Sequence, residues 1–108
     1  MKPVVPRDAA ERDADAAVDY YTDEAGEDVA RGFTEALEQA YGAIGDYPGT
    51  GSPRYAHQLK MPGLRSRRLD RFPFLIFYRE HEEWIEVLRV LHAQRDIPAR
   101  LRETRSDQ

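Results

Sequence analysis

The side chains with chemistry to offer in this chain are mostly arginines and one histidine, and they are bunched. Arg65, Arg67, Arg68 and Arg71 fall close together, Arg79 follows, and His92, Arg95 and Asp96 come in a second group. Guanidinium forks match carboxylates and phosphates alike, so the first group suits an acidic peptide or a phosphate-bearing target. The same residues would also build a charged edge strand that resists pairing with other chains. His92 is placed to titrate near neutral pH, which leaves it open to proton transfer, to partner contact or to a structural role. Arg95 and Asp96 stand where they would either cap a following helix or touch a partner.

Other chemistries drop out. With no cysteine there is no disulfide, thiolate metal site or thiol nucleophile, a usage that fits a reducing cytoplasm. His57 and His81 sit in loop and turn, with no ligand spacing to each other or to a carboxylate pair, so no metal and no cofactor is expected and both rings should be exposed. Asp13, Asp15, Asp19, Asp23, Glu24, Glu27 and Asp28 read as solvated charge on helical faces rather than a cation site. Phe74, Phe77, Tyr78 and Trp84 read as packing on a sheet rather than a base-stacking platform.

The elements that must position these residues follow from periodicity. The length of 108 residues suits one domain, and 41% hydrophobic content supplies a core. Lys2 to Val5 forms a short edge strand at most, because Pro3 and Pro6 lack amide protons. Ala10, Ala14, Ala17, Val18 and Tyr21 recur at helical steps from Asp8 to about Thr22, with Asp8 and Glu11 as a capping pair and Gly26 as the stop. A second helix from about Glu27 to Ile44 carries Val29, Phe33, Leu37, Ala40 and Ile44 on one stripe and ends at Gly45. The short join makes the two a hairpin facing a common sheet.

Gly45 to Gly63 is dense in glycine and proline and reads as a long surface connection. Leu64 to Asp70, Phe74 to Glu80 and Trp84 to Leu91 read as three strands of an antiparallel meander. Ile97 to Glu103 suits a short final helix, with Thr104 to Gln108 as a frayed tail. The fold class is therefore α+β, a helical hairpin packed on a small antiparallel sheet. The charge is uneven: residues 1–53 hold 4 Lys+Arg and 12 Asp+Glu, a net of −8, and residues 54–108 hold 12 and 8, a net of +4. An acidic whole opposes coating of nucleic acid, while the basic second half allows one anion-attracting face. The first residues reach charge before any apolar run, and no run is long enough to span a membrane, so export by a signal peptide and embedding are not expected.

The order of these elements, with Asp46-Tyr47-Pro48-Gly49-Thr50-Gly51, Gly63-Leu64-Arg65, Phe72-Pro73-Phe74-Leu75-Ile76-Phe77-Tyr78 and Val90-Leu91-His92-Ala93-Gln94-Arg95-Asp96, resembles the RelE/ParE family of bacterial toxins over nearly the whole chain. Leu91-His92 with Arg95-Asp96 is more similar to the ParE branch. The resemblance implies a cytoplasmic toxin held inactive by a neighbouring antitoxin whose C-terminal segment wraps it. ParE-like members inhibit DNA gyrase by binding, whereas RelE-like members cut messenger RNA on the ribosome. Members are usually basic, whereas this chain is acidic overall.

On the ParE-like reading the chain is not an enzyme, and Arg65, Arg67, Arg68, Arg71, Arg79, His92, Arg95 and Asp96 are its partner-binding residues. On the RelE-like reading Arg65, Arg79 and Arg95 hold the phosphate and His92 is acid or base. Ala93 then stands where many cleaving relatives carry a tyrosine, leaving a second proton-transfer group missing. A binding module without toxicity is a third reading.

Overall fold

A computed structural model describes residues 1–95 and 97–106. The elements run β1 (Val4–Pro6), α1 (Asp8–Ala25), α2 (Glu27–Asp46), a 3-10 turn (Pro48–Thr50), α3 (Arg54–Gln58), β2 (Leu64–Arg68), β3 (Phe74–Glu80), β4 (Ile85–His92) and α4 (Ile97–Ser106). The sheet has the order β1-β4-β3-β2. The expected meander is present as β2, β3 and β4, but the sheet is mixed rather than antiparallel throughout. β1 runs parallel to β4, with Val4 opposite Ile85 and Pro6 opposite Val87. A parallel neighbour requires a long crossover, and the whole hairpin and meander serve as one.

The two faces of the sheet carry separate cores. On the hairpin face Ala10, Ala17, Phe33, Ala36, Leu37, Ala40 and Ile44 pack over Ile76, Tyr78, Ile85, Val87 and Val90, as the helical stripes lead one to expect. Val29, in the first turn of α2, departs from its stripe and is 39% exposed, while the adjacent Ala30 is buried. On the opposite face Leu59, Met61, Ile97 and Leu101 cover Leu64, Phe77, Leu88 and Leu91. The register shifts between Phe77, opposite Arg89, and Tyr78, opposite Val87, so Leu88 is a bulge residue in β4.

Several boundaries differ from the sequence reading for identifiable reasons. α1 runs to Ala25, where Gly26 at φ 95 stops it and donates its N–H to Thr22 O. Its N-cap is Arg7, with no side-chain bond, so Asp8 and Glu11 form no capping pair and act as first-turn acids. Gly45 does not end α2 but lies buried inside it: a Cβ there would stand 3.0 Å from Lys2 O and 3.3 Å from Val4 Cγ2. The small residue lets the chain entering β1 cross the helix closely, and Gly45 O accepts the Lys2 N–H at 3.2 Å. The connection after α2 is shorter and more ordered than expected, for it holds the 3-10 turn, α3 and a bridge from Ser52 to Ser66. Residues 104–106 continue α4, and residues 107–108 of the expected tail lie outside the described residues.

Candidate partner-binding site

β1 stops at Pro6, so the outer side of β4 beyond Val87 has no strand beside it. α1 crosses this open stretch and supplies Asp13. One carboxylate oxygen accepts Arg89 Nε at 2.7 Å and the Val90 N–H at 3.0 Å, and the other accepts Arg89 Nη2 at 2.9 Å. Both side chains of the pair are largely buried, at 13% and 15% exposure. Arg89 Nη1 also donates to Arg100 O of α4 at 3.3 Å, so one guanidinium joins three elements. Sequence reasoning missed both residues: Asp13 was read as solvated charge, and Arg89 as one more strand residue. Arg89 was nonetheless, with Glu86, a visible charge inside a mostly apolar strand, and a buried charge demands a partner.

Beside this pair opens a cavity of about 600 Å³ between α1, the end of β4 and α4. Ala17, Tyr20 and Tyr21 form one wall, Pro73, Phe74 and Leu91 the floor, and His92, Arg95 and Arg100 line another side with Arg89, which is paired to Asp13. Tyr20 is 59% exposed at its mouth and stands edge-on to Tyr21, which in turn packs against Phe72 and Phe74. His92 packs edge-on against Phe74 at 5.3 Å, and its Nδ1 accepts the Gln94 N–H at 3.1 Å. The arrangement offers aromatic surface and positive charge to an incoming group. Asp96 lies outside the described residues.

The other predicted residues are not gathered there. Arg79 lies at the far end of β3, opposite Glu86, whereas His92 lies opposite Phe74 at the near end. Five residues of strand separate those two positions, about 17 Å. Arg65 is on β2, two strands away from β4, and donates to Gly51 O at 2.7 Å. The set Arg65, Arg79, His92 and Arg95 is therefore split between two ends of the sheet. Arg67, Arg68 and Arg71 lie along and beyond β2, at the edge opposite β1.

Arg79 belongs to a second polar cluster, around Glu86. Glu86 is 8% exposed and takes His81 Nε2 at 2.9 Å, Arg79 Nη2 at 3.2 Å and Arg7 Nε at 3.5 Å. Burial alone would raise its carboxyl, but hydrogen bonds from His81 and Arg79 and the charges of Arg79 and Arg7 outweigh it and hold the group below the usual carboxylate range. His81 is thus neither isolated nor fully exposed, and its ring stacks on Trp84 at 4.6 Å. Trp84 precedes β4 and is 37% exposed rather than packed in a core. Among the described residues no group of three or more His, Cys, Asp or Glu side chains is placed to hold a metal ion. No helix among them is long and apolar enough to cross a membrane.

A helical hairpin on a mixed sheet, with an aromatic and arginine-lined cavity at one end, defines a small α+β protein. A family model described as ParE toxin of type II toxin-antitoxin system, parDE, matches residues 4–97, and the chain belongs to that family. Among solved structures, a chain described as a chromosomal ParDE TA system from P. aeruginosa has the same fold. It aligns with a TM-score of 0.72 at 24% identity, covering 87% of this chain and 98% of that one. No curated protein sequence matches.

Proposed function

We propose that this chain is a toxin that acts by binding, inhibits DNA gyrase when free, and is neutralised by an antitoxin segment seated in the cavity between α1, β4 and α4. The observation that carries the reading is the cavity itself. Aromatic surface from Tyr20, Tyr21 and Phe74 beside the guanidinium groups of Arg95 and Arg100 suits a segment bearing apolar and acidic side chains. Membership of a toxin family whose systems pair a toxin with an antitoxin supports such an occupant. Its place of action is then the cytoplasm.

Binding is favoured over ribonuclease chemistry by the surroundings of His92. Its ring faces Phe74 and the Gln94 amide, and of the three arginines that cleavage would use on the phosphate, Arg65 and Arg79 lie toward the other end of the sheet and Arg95 alone lines the cavity with it. The decisive assay is gyrase supercoiling with purified chain freed from its antitoxin. Inhibition is the expected result; untouched supercoiling from a preparation that still arrests growth would remove gyrase as the target.

A further inference from the structure

We infer that the β2 edge of this protein is a binding face for the phosphate backbone of duplex DNA, an inference that rests on the reading of a DNA-handling enzyme as the target. Residues 47–69 contain Arg54, Lys60, Arg65, Arg67 and Arg68 and no Asp or Glu, in a chain whose net charge is −4. The fold wraps this segment around the β2 edge, with Pro48 and Gly51 against Tyr78 on one face and Leu59 and Met61 on the other. α3 packs beside β2, the Ser52–Ser66 bridge ties the preceding loop to it, and β2 is the last strand of the sheet. The acids bounding the segment in sequence are Asp46 and Asp70, and Asp70 lies near Arg67 and Arg68.

Edge protection does not account for these charges. The outward N–H and C=O of Ser66 are already taken by Ser52, each at 2.9 Å, so the middle of the edge is closed to an added strand. The same closure rules out a peptide docking there by strand addition. Nor is the face built for a folded protein partner, which needs a buried apolar anchor. Tyr47 is the one exposed large hydrophobic residue of the segment.

Single-stranded nucleic acid is disfavoured on the same ground, because it is held by stacking on successive aromatic rings. Tyr55 is packed against Phe77, with Arg54 over its ring. What remains is cations on a surface short of apolar anchors, the requirement for duplex backbone contact. Arg67 and Arg68, adjacent in the strand, lean to opposite faces, so the charges straddle the edge and can follow a rod-like polyanion lying along it. Among the described residues Lys60, Arg67 and Arg68 form no ion pair that would compete for them.

The test is a fluorescence-anisotropy titration of a short labelled DNA duplex with the full chain, at salt from about 50 to about 200 mM. Expected is a dissociation constant on the order of 10⁻⁵ M at the lower salt, with a log–log salt slope of about −3. The combined variant Lys60→Glu, Arg67→Glu, Arg68→Glu should bind at least about tenfold more weakly and lose most of that slope. Arg65 is kept because it holds Gly51, and an unchanged circular-dichroism spectrum certifies the variant's fold. No binding by the parent chain at low salt, undiminished binding by the variant, or displacement of DNA by polyglutamate at equal charge would overturn the inference. So would a duplex RNA bound several-fold more tightly than the DNA. The titration contains no gyrase, so its failure leaves the supercoiling result to decide the target independently.

Discussion

Asp13 on α1 grips Arg89 of β4 through both carboxylate oxygens, and one of those oxygens also receives the Val90 N–H. The carboxylate stands where a longer β1 would have continued the sheet. Truncating it takes a bidentate acceptor from a largely buried guanidinium and the acceptor from a backbone donor. Asp13→Ala should therefore destabilise the fold by about 2–4 kcal/mol. Thermal unfolding would show this as a fall in Tm of roughly 10–20 °C. An unchanged midpoint would mean that the pair contributes nothing to folding.

Gly49 and Gly51 differ in the room around them. A Cβ at Gly51 would press on the Tyr78 ring, 2.8 Å from Cζ, while one at Gly49 would meet nothing within 4 Å. Tyr78 is fully buried and its hydroxyl donates to Pro48 O at 2.6 Å, so it has no easy retreat. Gly51→Ala should cost about 1–3 kcal/mol in denaturant unfolding, and Gly49→Ala much less. Equal effects would show that Tyr78 can move aside.

The Glu86 cluster makes stability depend on acid. Its carboxyl titrates lower in the folded chain than its ordinary value of 4.5. The sign follows: its contribution is complete above about pH 4.5 and is lost as pH falls through the lower folded value. Glu86→Gln should be less stable than the parent at neutral pH, and the gap should narrow below about pH 4.5. A gap that stays constant down to the acid transition would sever the cluster from acid unfolding.

If the toxin acts by binding, His92 transfers no proton. His92→Ala should then retain growth arrest on induction, with messenger RNA intact in both parent and variant. Cleaved messages in the parent, abolished in the variant, would make His92 catalytic and reverse the proposed function.

Much of this fold was legible because its helices and central strands obey simple periods. Phe33, Leu37, Ala40 and Ile44 declared the buried face of α2, and the branched and aromatic runs declared β3 and β4. What escaped was long-range. Nothing near Gly45 in sequence says that Lys2 passes over it, so the glycine read as a stop. Asp13 and Asp15 look alike on the helix, yet one of them meets Arg89 76 positions later. The arginines fared similarly: clustered in sequence, they are dispersed by strand alternation and by the length of β3, and the cavity is lined by Arg89 and Arg100 as well as the expected His92 and Arg95.

The parallel pairing of β1 has a consequence for how the protein is made. Val4 emerges from the ribosome well before its partner Ile85. At about 5–20 residues per second, several seconds pass between the two. The hairpin can coil meanwhile, but the sheet gains its outer strand only after β4 has been synthesised, and such distant contacts form slowly in any case. Arg7 cannot reach Glu86, nor Asp13 reach Arg89, before that moment. The cavity beside Arg89 thus takes shape only after β4 and α4 have been made.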